Sequence, residues 1–241
     1  MKLISLKVYR WILAVILLGL GVAAERSGLT AYLSDPFEYP YIIMLFLQHT
    51  QMVGISMVMA TTVGIIAGIV LTRQKFKRFA GVVMYVISLG QTIPSLAVLA
   101  MAMSFLGIGN RTAIFALTIY SILPIARNTL AGIVAVPPPM IDAARGMGMP
   151  PVRILLEVEL PNAMSVIITG FRIALVINIG TVALAYLIGA GGMGDLIFTG
   201  IEVMQTEKLL AGAIPVTFLA LVMDYICELL SLALVSRGLR T

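Results

Sequence analysis

Six stretches of this chain are long and apolar enough to cross a bilayer, and this constrains its fold before any other feature is weighed. The ~30 Å hydrocarbon layer needs about 20 helical residues. Runs of that kind cover residues 8–24, 49–71, 79–106, 112–136, 163–188 and 209–235. Hydrophobic residues make up 60% of the chain and charged ones only 11%, where a soluble domain keeps about a quarter charged. In lipid each backbone N–H and C=O must be satisfied within its own segment, so these runs read as helices. The expected fold class is an all-α integral membrane protein with about six transmembrane helices. The first run has Lys2 and Lys7 ahead of it and Arg10 at its start, like a secretory signal. "GVAAE" is not a clear A-x-A cleavage site, so the run reads as a retained anchor. Residues 1–46 then form an anchor helix and outer loop, and residues 47–241 the main transmembrane domain.

The basic residues orient the spans. Thirteen of the 16 lysines and arginines lie before the first run, in "RQKFKR", around the connection between the fourth and fifth runs, and after the sixth. The three alternate connections hold only Arg26, Arg111 and Lys208. The positive-inside rule therefore puts both termini in the cytoplasm. The net charge of +5 is an orientation signal, and nucleic acid is not expected as a partner.

The chemistry available to the chain is narrow. A lone cysteine (Cys227) cannot form an internal disulfide or a multi-cysteine metal site. A lone histidine (His49) rules out HExxH zinc chemistry, and neither a phosphate-binding loop nor a GxSxG elbow is present. No catalytic residue, metal site or cofactor is assigned. A membrane hydrolase would need a nucleophile with its base, which the spans do not supply.

One segment is out of keeping with the spans around it. Residues 137–162, "PPPMIDAARGMGMPPVRILLEVELPN", form a polar cytoplasmic connection. The prolines at 137–139 suit the entry and first turn of a short helix, where their missing N–H groups would be unbonded anyway. Asp142 is expected near the positive end of that helix, and Gly146 and Gly148 at its end. Pro150-Pro151 should restart a second helix, closed by Pro161 before the fifth span. Met149 precedes a proline and is pushed toward extended geometry, so the chain must leave the helix at Gly148, in left-handed backbone. The hairpin could be a docking surface with a flat Ala/Gly face, or an amphipathic pair lying on headgroups.

Asp142-Ala143-Ala144, three residues, Gly148, nine residues, then Val158, Glu159, Leu160 and Pro161 resembles the EAA loop of binding-protein-dependent ABC importer permeases. Asp142 stands for Glu, and Val158 for Ile. "LGQTIPSLAVLA", "LGIGNRTAIFAL", "YSILPIARNTLAGI", "INIGTVALAYLIGAGGMGDLIFTGI" and "LLAGAIPVTFLAL" are similar to Opu-type osmoprotectant permeases for glycine betaine, carnitine or choline. Methionine and other amino-acid permeases share the loop but are not expected to carry "GQTIPSLA". The resemblance implies a type I importer (MetI-like) fold in a bacterial inner membrane. It also implies a coupling helix whose Asp142, Ala143, Ala144, Gly148, Leu160 and Pro161 dock an ATPase. The partners implied are two ATPase subunits that bind ATP and Mg, a second permease copy or paralogue, and an extracytoplasmic solute-binding protein. This chain would hold no nucleotide itself.

Other residues have more than one reading each. Pro94 in "GQTIP" cannot donate to Gly90 and should kink or unwind the third span, which as one helix would rise ~42 Å. Gln91, Thr92 and Pro94 are a stretch of translocation pathway or a plain kink. Asn178 and Thr181 lie on adjacent turns, facing solute or bonding to other helices. Gly189, Gly191, Gly192, Gly194 and Asp195 form a gate, a contact for the binding protein, or a re-entrant turn. Phe105, Phe115, Tyr120 and Tyr186 could present π faces to a quaternary ammonium or simply pack. Asp224 and Glu228, one helical turn apart in the sixth span, call for a basic partner, Arg127 or Arg172, unless the span ends early and both are wet.

Overall fold

A computed structural model describes residues 25–90 and 92–234. The run at 8–24, Gln91, and the terminal Arg237 and Arg240 lie outside the described residues. The described elements are helices: α1 (Leu29–Ser34), α2 (Glu38–Thr72), α3 (Gln74–Gly90), α4 (Ser95–Leu106), α5 (Asn110–Val134), α6 (Pro138–Gly146), α7 (Pro151–Ile188), α8 (Gly194–Glu202) and α9 (Thr206–Leu234). Of these, α2, α5, α7 and α9 are each long and apolar enough to span, and α3 with α4, apolar enough together, makes a broken span or a re-entrant loop. The described residues thus account for up to five of the six expected crossings.

The core is a three-helix contact of α2, α5 and α7. Lipid gives helices no hydrophobic reason to associate, so close packing must hold them, and small residues permit it. Gly64 and Gly68 place one face of α2 against α5. A Cβ at Gly64 would stand 2.9 Å from Ile125, and one at Gly68 would stand 2.5 Å from Thr129. Gly170 of α7 sits as tightly on the other side of α5, where a Cβ would come within 2.5 Å of Asn128. A polar knot closes the middle. Asn178 donates to Ser56 at 3.0 Å and to Ser121 at 2.8 Å, and Ser56 donates back to its carbonyl at 3.2 Å. Leu175 and Ile179 beside it are fully buried.

Two sequence expectations change, and the interruption expected at Pro94 is present. The span expected from residue 49 begins at Glu38, because the polar run at Gln48–Gln51 does not break the helix. His49 turns inward, 0% exposed, with Nε2 3.1 Å from the Ile179 carbonyl. The third span is broken outright: α3 and α4 meet at 93°. Thr92 N–H bonds back to Leu89 and Ile93 N–H to Gly90, which makes a turn, and Pro94 then caps α4.

Pro161 does not close a helix, since α7 runs unbroken from Pro151 through it. A π turn at Leu155–Glu159 explains why: Leu160 N–H donates to Leu155 O, five residues back. Widening the turn just ahead of the proline accommodates both the ring and the missing donor that would break a regular helix.

The bundle has two distinct ends. At one, Ile69 of α2, Ile133 of α5, and Leu155 and Leu160 of α7 pack around Ala163 and Ile167, next to α6. At the other, Gly109 N–H bonds to Ile188 O, and the glycine turn at residues 189–193 meets α2.

Candidate functional site

The α6 end carries the polar connection. Pro137 caps α6, with prolines in its first turn. Asp142 lies beyond that turn, so it is not at the positive helix end as expected. The helix starts at Pro138, one turn too early for that. Asp142 instead pairs with Arg145 at 3.3 Å, both side chains well exposed. Ala143 is exposed, while Ala144, 1% exposed, anchors the helix inward. The helix ends in a Schellman closure: Met149 N–H bonds to Ala144 O at 3.2 Å and Gly148 N–H to Arg145 O at 2.9 Å. Gly148 takes φ +76°, and no atom lies within 4 Å of where its Cβ would be. The exposed face is therefore Asp142, Ala143 and the bare backbone at Gly148, a surface a partner could approach closely. Leu160 packs into the cluster around Ile133, and Pro161, the next residue, is exposed.

Sequence reasoning missed what holds this connection to the bundle. The Arg73 guanidinium, at the end of α2, donates to Glu159 in the π turn of α7. It also donates to Thr72 Oγ1 at 2.8 Å and to Ile69 O at 3.3 Å. Glu159 is 8% exposed. The signal was a carboxylate between apolar neighbours in "LEVELP". Arg73 looked like one more orientation charge.

At the opposite end the glycine turn is packed closely against its neighbours. Gly189, Gly191 and Gly192 have φ of 72°, 74° and 78°, a region costly for residues with a Cβ. Gly192 N–H donates to Gln48 Oε1 of α2 at 3.3 Å. Gly194 opens α8 so close to α7 that a Cβ would stand 1.9 Å from Ala183 O. Asp195 lies in the first turn of α8, where the helix dipole favours an anion.

The pathway candidates separate. Asn178 is 1% exposed, and its amide bonds between helices to Ser56 and Ser121. Thr181 bonds its own helix at Ile177 O. Thr92 and Pro94 are exposed at the break between α3 and α4. Beside that break lies a cavity of about 420 Å³, lined by Gly90, Ile93, Phe105, Phe115 and Tyr120. Three of the four aromatics singled out from sequence thus converge on one apolar space. Tyr186 does not join them; it stacks on Phe198, centroids 6.0 Å apart. The basic partner of Asp224 and Glu228 is Arg172.

The family described as binding-protein-dependent transport system inner membrane component matches residues 60–235. The osmoprotectant import permease OsmY of Salmonella typhimurium is 47% identical over 183 residues, 76% of this chain and 78% of that one. The carnitine transport permease OpuCB of Listeria monocytogenes is 42% identical, over 80% and 88% of the two chains. The choline transport permease OpuBB of Bacillus subtilis is 40% identical over the same shares. Among solved structures, an inward-facing MetNI methionine ABC transporter superposes with TM-score 0.74 at 21% identity, covering 84% of this chain and 100% of that one. An amino-acid ABC transporter solved with histidines gives 0.69 at 19%, covering 83% and 97%.

Proposed function

This chain belongs to the family of binding-protein-dependent transport system inner membrane components, and from that we propose that it is the permease subunit of an ATP-driven importer of quaternary-amine osmoprotectants. The observation that carries the substrate class is the contrast in identity. Osmoprotectant, carnitine and choline permeases stand at 40–47% over about four-fifths of the chain. The amino-acid importers share the fold at 19–21%.

The work divides between subunits. ATP and Mg belong to a partner ATPase, and the α6 surface of Asp142, Ala143 and Gly148 is its docking site, with Leu160 and Pro161 fixing the loop behind it. The chain is multi-pass in a bacterial inner membrane, with the α6 end cytoplasmic and the glycine turn outside. Two permease chains, identical or related, form the pathway between them, and a solute-binding protein delivers substrate to the outer end. The break at Thr92–Pro94 and the aromatic cavity beside it form a wall of that pathway. An aromatic face attracts a quaternary ammonium through its quadrupole, by about 0.5–2 kcal/mol, without requiring a hydrogen bond from it. ATP-driven closure of the ATPases draws the two α6 helices together and opens the outer side.

The test is uptake by cells carrying the whole operon. Labelled glycine betaine, carnitine or choline should accumulate under osmotic stress, and an ATPase should co-purify with this chain. Uptake of methionine alone, unaffected by excess quaternary amine, would refute the substrate class.

A further inference from the structure

The helix α2 touches both ends of the machinery. Its cytoplasmic-end residue Arg73 holds Glu159 in the π turn against which α6 packs. Twenty-five residues earlier, ~37 Å along a straight helix, Gln48 accepts the N–H of Gly192 in the glycine turn. Glu159 lies inside the fold because of the π turn. In a regular helix, residues five apart point about 140° away from each other. A turn closed five residues back brings Ile154, 5% exposed, and Glu159, 8% exposed, to the same inner side. Arg73 adds a rigid fork: the same guanidinium binds Glu159, the Thr72 hydroxyl and the Ile69 carbonyl. The guanidinium that holds Glu159 is thus itself bonded to the α2 backbone at Ile69 O.

We propose that the Arg73–Glu159 ion pair is the positioning contact through which displacement of the cytoplasmic helix α6 is passed to α2, and along α2 to the glycine turn at the other end. The inference rests on α6 being the ATPase dock. Both residues are positioning residues, since neither faces the exposed Asp142–Gly148 surface or the aromatic cavity. A buried carboxylate without its partner is costly, so the pair should stay closed while the loop moves, and motion of one side must carry the other. The contact makes α2 a strut between the two ends.

The test uses the whole importer, reconstituted with its ATPase, permease partner and binding protein. Wild type is compared with Glu159→Gln, Arg73→Gln and the charge-reversed double variant Arg73→Glu/Glu159→Arg. ATP hydrolysis, uptake and recovery of the ATPase subunit are read together. Each single variant should keep the ATPase bound and hydrolysing, while uptake per ATP falls about tenfold, within the usual range of coupling between two sites. The reversed pair should recover most of that loss. Wild-type uptake per ATP in both single variants would overturn the strut. So would loss of ATPase binding in them, which would make the pair part of the dock itself, or failure of the reversed pair to recover function at normal membrane levels. A wild-type chain that recovers no ATPase would overturn the docking reading on which the strut rests.

Discussion

Arg172 grips Asp224 with both arms of its guanidinium, Nε to Oδ1 and Nη2 to Oδ2, each at 2.8 Å. The same Nη2 lies 3.6 Å from Glu228 Oε2. This fork joins α7 to α9 within their membrane-spanning stretches. It shows why two carboxylates one turn apart are tolerated there: two parallel bonds hold the first, and one cation faces both. Removing the cation should leave like charges at i and i+4. Arg172→Leu is expected to lower the thermal midpoint in detergent, because two carboxylates one turn apart lose the cation between them. Adding Asp224→Asn should recover part of it. A thermal midpoint unchanged in Arg172→Leu would show that the cluster is fully wet.

Gly146 and Gly148 make a controlled pair. Neither has an atom within 4 Å of its would-be Cβ, but only Gly148 has positive φ. Gly148→Val should cost about 1–2 kcal/mol in backbone strain and disturb the exposed surface. It should leave membrane levels normal while ATPase recovery weakens or hydrolysis uncouples, with little uptake. Gly146→Ala, in helical backbone, should be close to neutral by the same measurements. Wild-type uptake from Gly148→Val at equal expression would make the loop a hairpin lying on headgroups.

Topology can be read chemically. Gln74 and Gln205 are exposed, the first beside Arg73 at the α6 end and the second in the connection between α8 and α9. With Cys227 replaced, a cysteine placed at Gln74 should react only with reagents that enter the cytoplasm, and one at Gln205 from outside. Reaction of both from the same side would contradict the alternating arrangement.

The aromatic cavity makes a claim about substrate. Phe115→Ala and Tyr120→Ala should each raise the concentration needed for half-maximal betaine uptake several-fold, as expected for loss of one cation–π contact. Tyr186→Ala, which removes the stack on Phe198, should lower stability with little effect on that concentration. Equal effects from all three would mean that these aromatics only pack.

The sequence by itself determined the class of fold, the family and the course of the backbone in short segments. Unbroken apolar length forces helices in lipid, proline at 94 forces an interruption, and glycine at 148 before Met149-Pro150 forces a left-handed exit. Each of these is set by neighbours in the chain, so spacing and residue type are sufficient to read it. Tertiary structure decided which polar side chains meet. Asp224 chose Arg172 over Arg127, Asn178 turned toward Ser56 and Ser121, and Arg73 found Glu159, 86 residues away. It also decided that Pro161 lies within a helix, since the π turn that absorbs it also sets Glu159 facing inward toward Arg73. A charge or amide buried among apolar helices must find a partner, but the approach of the helices, governed by Gly64, Gly68 and Gly170, determines which partner is in reach.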